Sequence, residues 1–306
     1  MTSPFILLAL AICAAAVAIH GAGRNLSRRV RRPALLRAGA LAAGAILLPL
    51  NISSALADGP PDGLGQPLAA FVIIVNLAVL SGLVALVMAN WIRRVPVQIP
   101  RRVLALGAHP DDIELGCGAT LAKLYDSGHE VHALVMSHGE RGGDASSRPE
   151  EARRGATFVG LTSVQVLDLP DRRLADSMME MADAIEHAIH RLNPDIILTH
   201  SRNDLHQDHR AVHEASLRAA RRHSAILCYE SPSVTDAFQP SFFIDVEDYV
   251  DVKVTAVGLH KDQRDKPYMS PERVRGLAVY RGAQAKTRAA EAFEPVRLLG
   301  SQVGVL

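Results

Sequence analysis

Cysteine is scarce in this chain of 306 residues, which has three, far apart in the sequence: Cys13, Cys117 and Cys228. So few scattered cysteines cannot build a disulfide framework or a cysteine-rich zinc site. A reducing compartment is therefore the simplest setting for the protein. The formal net charge is only +1, and the polar part of the chain has no run of lysine and arginine that would neutralise phosphates. We therefore expect no nucleic-acid partner.

Acidic residues are almost absent from the first 95 residues, which are rich in Ala, Leu, Val and Ile. Charges of both signs are mixed from about residue 99 onward. Three apolar stretches in the first part each approach the about 20 residues that cross a bilayer core: roughly 4–22, 34–57 and 68–91. We predict a membrane region over residues 1–95, in which these stretches form transmembrane helices, and a soluble domain over residues 96–306.

Two of the three stretches have alternative interpretations. The first is short and rich in small residues, which would suit a signal peptide, but its positive charge follows it instead of preceding it. We therefore expect a retained helix. The second contains Leu48-Pro49-Leu50-Asn51, which would also suit a helical hairpin or an interfacial segment. The third has no charge and ends at Trp91, Arg93 and Arg94, which are typical of a membrane interface.

Arginine placement predicts the orientation of the membrane region. Six arginines lie in or just beyond the connection between the first two stretches, whereas residues 58–67 contain two acids and no base. By the positive-inside rule, the first connection is cytoplasmic and the second is external. Three crossings then leave the soluble domain in the cytoplasm. We predict an integral membrane protein that has the lipid bilayer as one of its partners.

From residue 103 onward, short aliphatic runs alternate with segments of helical periodicity. This alternation is typical of βαβ units and predicts an α/β fold with a doubly wound, mainly parallel, Rossmann-like sheet. Strands are expected at 103–106, 131–136, 164–168, 195–199, 225–230 and 242–246. Helices are expected at 114–127, 148–159, 177–192, 250–262 and 271–292. Ligands of such sheets gather beyond the carboxyl ends of the strands.

Two polar clusters follow predicted strands. His109-Pro-Asp-Asp-Ile-Glu114 comes after the first strand, and the segment from His200 to His209 comes after the fourth. Folding should bring them together, although they are about a hundred residues apart in sequence. Imidazoles and carboxylates suit zinc, with three protein ligands and one position left for water. Adjacent Asp111 and Asp112 also favour a nearby cation, because two carboxylates beside each other repel.

Gly116 and Gly118 follow the first cluster closely. Two glycines after a strand could indicate a dinucleotide-binding loop, but the third glycine of that pattern is missing. We interpret them as positions where a helix packs closely against the sheet.

The two clusters resemble the N-acetylglucosaminyl-phosphatidylinositol de-N-acetylase family, also called LmbE-like. The matching motifs are His109-Pro-Asp-Asp-x-Glu and His206-x-Asp208-His209. The resemblance covers about residues 102–298 and extends through Ser137-His-Gly-Glu140, Arg148-x-x-Glu151, Leu169-Pro-Asp171, His260-Lys-Asp-Gln263 and Ala290-Glu-Ala-Phe293. Gln207 stands where the family often has Pro or Ser, a departure that removes no ligand.

The resemblance implies a zinc-dependent hydrolase that removes an N-acyl group, most simply acetyl, from an N-acetylglucosamine-type glycoconjugate. A lipid-linked sugar suits the membrane region, and a soluble glycoconjugate suits the motifs equally well. The implied zinc ligands are His109, Asp112 and His209. Asp111 would be the general base, and a protonated His206 would lie over the substrate carbonyl, with Asp208 orienting its ring.

Other interpretations of the polar clusters remain open at this stage. One is a membrane protein that binds a metal or a sugar without catalysis, although the presence of Asp111 argues against it. Another is a metal-dependent phosphoester hydrolase, which usually needs two metals and more carboxylates than these clusters offer. Glu140 and Arg148 suit either contacts to substrate hydroxyls or ordinary roles in a salt bridge and a helix start.

Overall fold

The computed structural model describes residues 28–56 and 65–300, together with Leu8, Ala11, Ile12, Ala14 and Ala15. The predicted first membrane stretch, residues 4–22, therefore lies outside the described residues except for those five, which are helical where described. The chain divides into two compact units, Met1–Arg93 and Arg94–Leu306.

Two long apolar helices dominate the described part of the first unit. These are α1 (Pro33–Leu56) and α2 (Gly65–Asn90). By length and composition, α1 and the Ala70–Asn90 part of α2 could each cross a membrane. The predicted stretches at 34–57 and 68–91 thus correspond to one helix each, described as far as Leu56 and Asn90, and α1 continues through Pro49 without a hairpin.

A pair of buried asparagines joins α1 to α2. The side-chain amide of Asn51 donates to Asn76 Oδ1 at 3.0 Å, and the amide of Asn76 donates to Asn51 Oδ1 at 3.2 Å. Each amide also donates to a carbonyl of its own helix, four residues earlier. In apolar surroundings such a polar pair has no competing partner, so it sets the register of the two helices.

The second unit is built on a seven-stranded sheet in the order β3-β2-β1-β4-β5-β7-β6. The first five strands are parallel, and β7 is antiparallel to both β5 and β6. The α/β prediction is confirmed, and the sheet is mixed. The strands are β1 (Arg102–Gly107), β2 (Glu130–Val135), β3 (Ser163–Val166), β4 (Ile196–Thr199), β5 (Ala225–Tyr229), β6 (Phe242–Asp245) and β7 (Ala290–Leu298).

Six helices cover the sheet: α3 (Asp112–Asp126), α4 (Arg148–Val159), α5 (Met178–Leu192), α6 (Gln207–Ala219), α7 (Val250–Val257) and α8 (Pro271–Ala285). Two of them, α5 and α6, pack on β1 and β4 in a buried apolar cluster that includes Leu104, Ile185, Ile197 and Val212. The other four contact one another on the opposite face. Right-handed crossovers between parallel strands place α3 and α4 there.

The largest difference from the sequence prediction lies near the C-terminus. Residues 290–298 form β7, although a helix was predicted through residue 292. Helix α8 ends at Ala285 because Lys286 adopts the left-handed conformation, with φ 61°. The Ala-Glu-Ala start of β7 favours a helix locally, but pairing with β5 and β6 outweighs that preference. The helix predicted over 250–262 is also shorter than expected, since α7 ends at Val257.

Helix α3 is kinked where it meets β5. Cys117 leaves the helical conformation, with φ −144° and ψ 20°. At the preceding position, a Cβ on Gly116 would collide with the ring of Tyr229. The Tyr229 hydroxyl in turn donates to the carbonyl of Leu106 at 2.7 Å. The close-packing interpretation of Gly116 is therefore confirmed, and the contact holds the start of α3 against the sheet.

The kink creates a new helix start that a distant carboxylate caps. Glu291 on β7 accepts hydrogen bonds from the backbone N–H groups of Ala119 and Thr120, at 3.2 and 2.7 Å. Lys253 on α7 donates to the same carboxylate at 2.6 Å, and both charged side chains are buried. The ion pair therefore ties α3, α7 and β7 together.

We predict that Glu291→Ala lowers the free energy of unfolding by about 3–5 kcal/mol, because it leaves the Lys253 ammonium buried without a counter-charge. Denaturant unfolding of the full chain in detergent measures the change. The exposed ion pair of Glu150 and Arg153 is the control, since Glu150→Ala should cost less than about 1 kcal/mol. Combining Glu291→Ala with Lys253→Met should recover part of the loss. A single Glu291→Ala variant as stable as the control would contradict this account.

Candidate functional site

The two polar clusters meet at the carboxyl ends of β1 and β4, which are neighbours in the sheet. The chain leaves β1 toward β2 on one side and leaves β4 toward β5 on the other. This change of direction opens a crevice at the strand ends, where ligands of α/β sheets bind. His109 and Asp112 lie between β1 and the first turn of α3, whereas His206 and His209 lie at the start of α6.

Three buried side chains converge in the crevice. His109 Nδ1 lies 3.3 Å from Asp112 Oδ2, and His209 Nε2 lies 3.3 Å from Asp112 Oδ1. One ligand atom from each residue lies within 4.8 Å of the others. A tetrahedral zinc with bonds of about 2 Å separates its ligand atoms by about 3.3 Å. The structure therefore brings together the three residues predicted as ligands, and the two contacts of Asp112 have the spacing that this ion needs.

Carboxylates behind the two imidazoles fix which nitrogen faces the crevice. His109 Nε2 lies 3.1 Å from Asp171 and 3.2 Å from Asp208, and His209 Nδ1 lies 2.9 Å from Asp204. When these outer nitrogens carry the protons, His109 Nδ1 and His209 Nε2 are left with lone pairs toward Asp112. Metal-binding histidines are oriented in the same way by carboxylates.

Asp204 is a site residue to which sequence reasoning gave no role. Its buried carboxylate contacts His209 and accepts hydrogen bonds from the hydroxyls of Ser231 and Ser233 at 2.5 and 2.7 Å. It also accepts from the backbone N–H of His206 at 2.8 Å. Two serines after β5 were the available signal, but nothing in the sequence relates them to the second cluster. Asp204 thus holds His206 and His209 in place.

The cluster has an excess of negative charge. Burial alone would lower the pKa of His209, but Asp112 and Asp204 raise it to about 9. Burial would also lower the pKa of His109, but Asp112, Asp171 and Asp208 raise it well above its usual value. The carboxylates around the two imidazoles therefore favour positive charge at this position. The site is built to bind positive charge.

The structure corrects the role expected of Asp208. Its carboxylate does not orient the His206 ring but contacts His109 and accepts from the backbone N–H groups of Arg172 and Leu174, at 2.6 and 3.2 Å. The reason is local geometry: Asp208 lies in the first turn of α6, and its side chain is fully buried. Only its backbone N–H reaches His206, whose Nδ1 accepts at 3.3 Å.

His206 differs from the expectation of a protonated ring. Its pKa is lowered by burial and by the positive charges of His209 and His109. The ring stacks on that of His209, with a centroid distance of 4.5 Å, and it lines the cavity. Because Nδ1 accepts a hydrogen bond, the neutral ring carries its proton on Nε2, which makes that nitrogen the donor.

Asp111 is buried at the edge of the crevice and pairs with Arg148, whose Nη2 lies 3.3 Å from Asp111 Oδ1. Arg148 is the first residue of α4, and its Nη1 also donates to the carbonyl of Gly139 at 2.5 Å. Glu140 accepts from the backbone N–H of Asp171 at 2.9 Å. The ordinary roles considered for Arg148, salt bridge and helix start, are therefore the ones that the structure shows.

A cavity of about 250 Å³ lies over these residues and is lined by five of the six predicted site residues: His109, Asp111, Asp112, His206 and His209. The sixth, Asp208, is fully buried. Arg172, Lys266 and Tyr268 complete part of the wall. A second cavity of about 190 Å³, with a largely apolar lining, shares Leu115, Pro232 and Tyr268 with the first. The site therefore has a chamber with charged side chains in its wall and a more apolar neighbour.

Comparison with known proteins shows the relatives of this chain. A family model described as PIG-L, GlcNAc-PI de-N-acetylase, matches residues 104–220. The uncharacterized deacetylase YaiS of Escherichia coli (strain K12) is 40% identical over 166 residues, which are 52% of this chain and 90% of that protein. The diacetylchitobiose deacetylase of Thermococcus kodakarensis is 30% identical over 223 residues, with coverages of 64% and 83%.

A solved structure has a similar fold. The conserved protein TT1542 from Thermus thermophilus is 27% identical and superposes with a TM-score of 0.59, covering 65% of this chain and 96% of that one. The sequence similarity to YaiS spans nearly all of that protein. The residues that match the family model contain both polar clusters of the crevice. The chain therefore belongs to the PIG-L family of GlcNAc-PI de-N-acetylases, also called LmbE-like deacetylases.

Proposed function

We propose that the protein is a zinc-dependent N-deacetylase that hydrolyses the acetamide of an N-acetylglucosamine-type glycoconjugate. The observation that carries the proposal is the convergence of His109, Asp112 and His209 in a buried crevice with excess negative charge. Two relatives are named deacetylases, and one of them is named for diacetylchitobiose. These names favour amide hydrolysis over the phosphoester and non-catalytic alternatives.

His109, Asp112 and His209 would hold the zinc ion, and the carboxylates of Asp171, Asp204 and Asp208 would orient the two imidazoles. A bound zinc ion lowers the pKa of its water ligand to about 7 and polarises a carbonyl group. Asp111 accepts a proton from the attacking water, because its carboxylate lines the cavity beside the three ligands. Arg148 keeps that carboxylate in place through Oδ1.

His206 donates a hydrogen bond from Nε2 to the carbonyl oxygen as negative charge develops there. A neutral imidazole can perform this role when its position is fixed in advance. The backbone N–H of Asp208 fixes the tautomer, and stacking on His209 fixes the plane of the ring. The leaving amine needs a proton, which Asp111 can return after accepting it from water.

We further propose that residues 1–95 anchor the enzyme in a membrane and that residues 96–306 form a catalytic domain facing the cytoplasm. Support comes from the length and apolar composition of α1 and α2, and from the arginines between the first two apolar stretches. A lipid-linked amino sugar is the substrate that such an anchor favours.

Asp111→Asn should lower the rate of acetate release from N,N′-diacetylchitobiose by about 10²–10⁴-fold, because the amide cannot accept the proton of water. Zinc content should stay at the level of the unaltered chain. Asp265→Asn is the matched control, since that exposed aspartate lies outside the cavity. Near-normal acetate release by Asp111→Asn would remove this residue from the mechanism.

The anchor proposal predicts that the chain stays in the membrane pellet after carbonate extraction. The positive-inside rule places the arginine-rich connection, and with it the domain after residue 95, on the cytoplasmic face. In sealed vesicles, protease should therefore digest this domain only when the cytoplasmic face points outward. Release of the chain into the supernatant, or digestion from the external face alone, would rule out the proposed anchor or its orientation.

A further inference from the structure

Charge is unevenly compensated around the catalytic cavity. Three carboxylates line it, and each contacts a basic group of the chain: Asp111 contacts Arg148, whereas Asp112 and Asp171 contact His109. Two more lining residues, Arg172 and Lys266, are cations. Within residues 28–56 and 65–300, neither of them forms a salt bridge with a carboxylate. The cavity wall therefore has positive charge that the chain itself does not neutralise.

These cations surround one glycine-rich loop, residues 139–143, which we call the cation loop. Arg172 Nη2 donates to the carbonyl of Arg141 at 3.1 Å. A Cβ on Gly142 would lie 3.7 Å from Lys266 Nζ and 2.9 Å from the Arg148 guanidinium. A side chain at this position would therefore crowd Arg148 and occupy the space beside Lys266. Glycine keeps the backbone of the loop bare toward the cavity.

The position of Arg172 has a conformational cost. Its φ is 63°, in the left-handed region that is uncommon for residues other than glycine. Two contacts hold it there: its N–H donates to Asp208 Oδ2 at 2.6 Å, and Gln207 donates to its carbonyl at 3.4 Å. Strained backbone of this kind occurs at ligand sites. The same segment that supports His109 through Asp208 thus presents an arginine at the cavity.

Lys266 is the second cation, and it is half-buried beside the cavity. Its ammonium lies 5.9 Å from the centre of the Tyr268 ring, and Tyr268 lines both cavities. A partly desolvated ammonium gains most from an anion, since burial weakens its hydration. A divalent ion held by His109, Asp112 and His209 would add to the positive potential of the same chamber.

We propose that Arg172, Lys266 and the cation loop form a subsite for an anionic group, phosphate or carboxylate, on the moiety joined to the amino sugar. The inference rests on the proposed deacetylase function, because it places the anion in the same cavity as the acetamide. Arg and Lys are the side chains that bind such groups, as a fork and as a point charge respectively.

The test compares acetate release by the zinc-loaded full chain from N-acetylglucosamine 1-phosphate and from the neutral methyl N-acetylglucosaminide. We expect kcat/KM to be at least about tenfold higher for the phosphate compound, mainly through a lower KM. Lys266→Met and Arg172→Met should each reduce this ratio about tenfold. Raising the salt concentration should also reduce it, because the cations are partly exposed to solvent.

Lys261→Met is the matched control, since it removes the same charge from an exposed position in the same segment, outside the cavity. It should leave the ratio unchanged. Equal kcat/KM for the two compounds, or an equal loss for both in Lys266→Met, would overturn the anion subsite while leaving the deacetylase function intact.

Calorimetric binding of the same two compounds separates the two proposals. If neither compound releases acetate, the deacetylase proposal fails, and the ratio of the two Kd values then decides the subsite alone. Tighter binding of the phosphate compound, lost in Lys266→Met, supports the subsite, and equal Kd values refute it.

A third compound, the dodecyl phosphodiester of N-acetylglucosamine in micelles, identifies the source of the phosphate. Faster turnover than the monoester indicates a lipid-linked sugar, and slower turnover indicates a soluble sugar phosphate.

Discussion

The contact of one carboxylate, Asp112, with the imidazoles of His109 and His209 is the interaction on which the crevice of the second unit depends. Asp112 is the first residue of α3. Its carboxylate contacts His109, which lies in the loop just before this helix, and His209, which lies at the start of α6. Such groups cannot be buried together unless positive charge is present, as protons or as a metal ion. The surrounding carboxylates raise the pKa of His109 and that of His209, the latter to about 9, so this position favours a cation.

Several structural features far from the chemistry keep that contact in place. The sheet places β1 beside β4, so the loops that follow them share one edge. Gly116 allows α3 to pack on Tyr229, and Glu291 caps the second half of the same helix after its kink. On the other side, Asp204 ties the start of α6 to the loop after β5 through Ser231. Contacts of α3, of α6 and of the sheet therefore fix the two sides of the crevice.

Much of this arrangement could be predicted from the sequence because it depends on patterns with a clear physical meaning. Alternating strands and helices indicated the α/β sheet, and histidines with aspartates after two strands indicated the site. The prediction of a helix through residue 292 was wrong, because Ala-Glu-Ala favours a helix locally and only pairing with β5 and β6 makes it a strand. Local sequence contains no information about that pairing.

The finer roles were beyond sequence reasoning for a related reason. Asp204 and Asp208 lie four residues apart in the same polar cluster, but their carboxylates contact different histidines, His209 and His109 respectively. Only the turn that starts α6 decides which carboxylate reaches which ring. Lys266 belongs to none of the motifs, and the segment between α7 and α8 places it in the cavity wall. Long-range packing, which no local pattern records, selects such residues.

The most direct test of the central claim is the zinc stoichiometry of the purified full chain, measured by elemental analysis for the unaltered protein and for His209→Ala. His213→Ala is the matched control, because this buried histidine lies one turn further along α6 and outside the three-residue cluster. The account predicts one zinc per chain for the unaltered protein and the control, and none for His209→Ala. Stoichiometric zinc in a folded His209→Ala variant would contradict it.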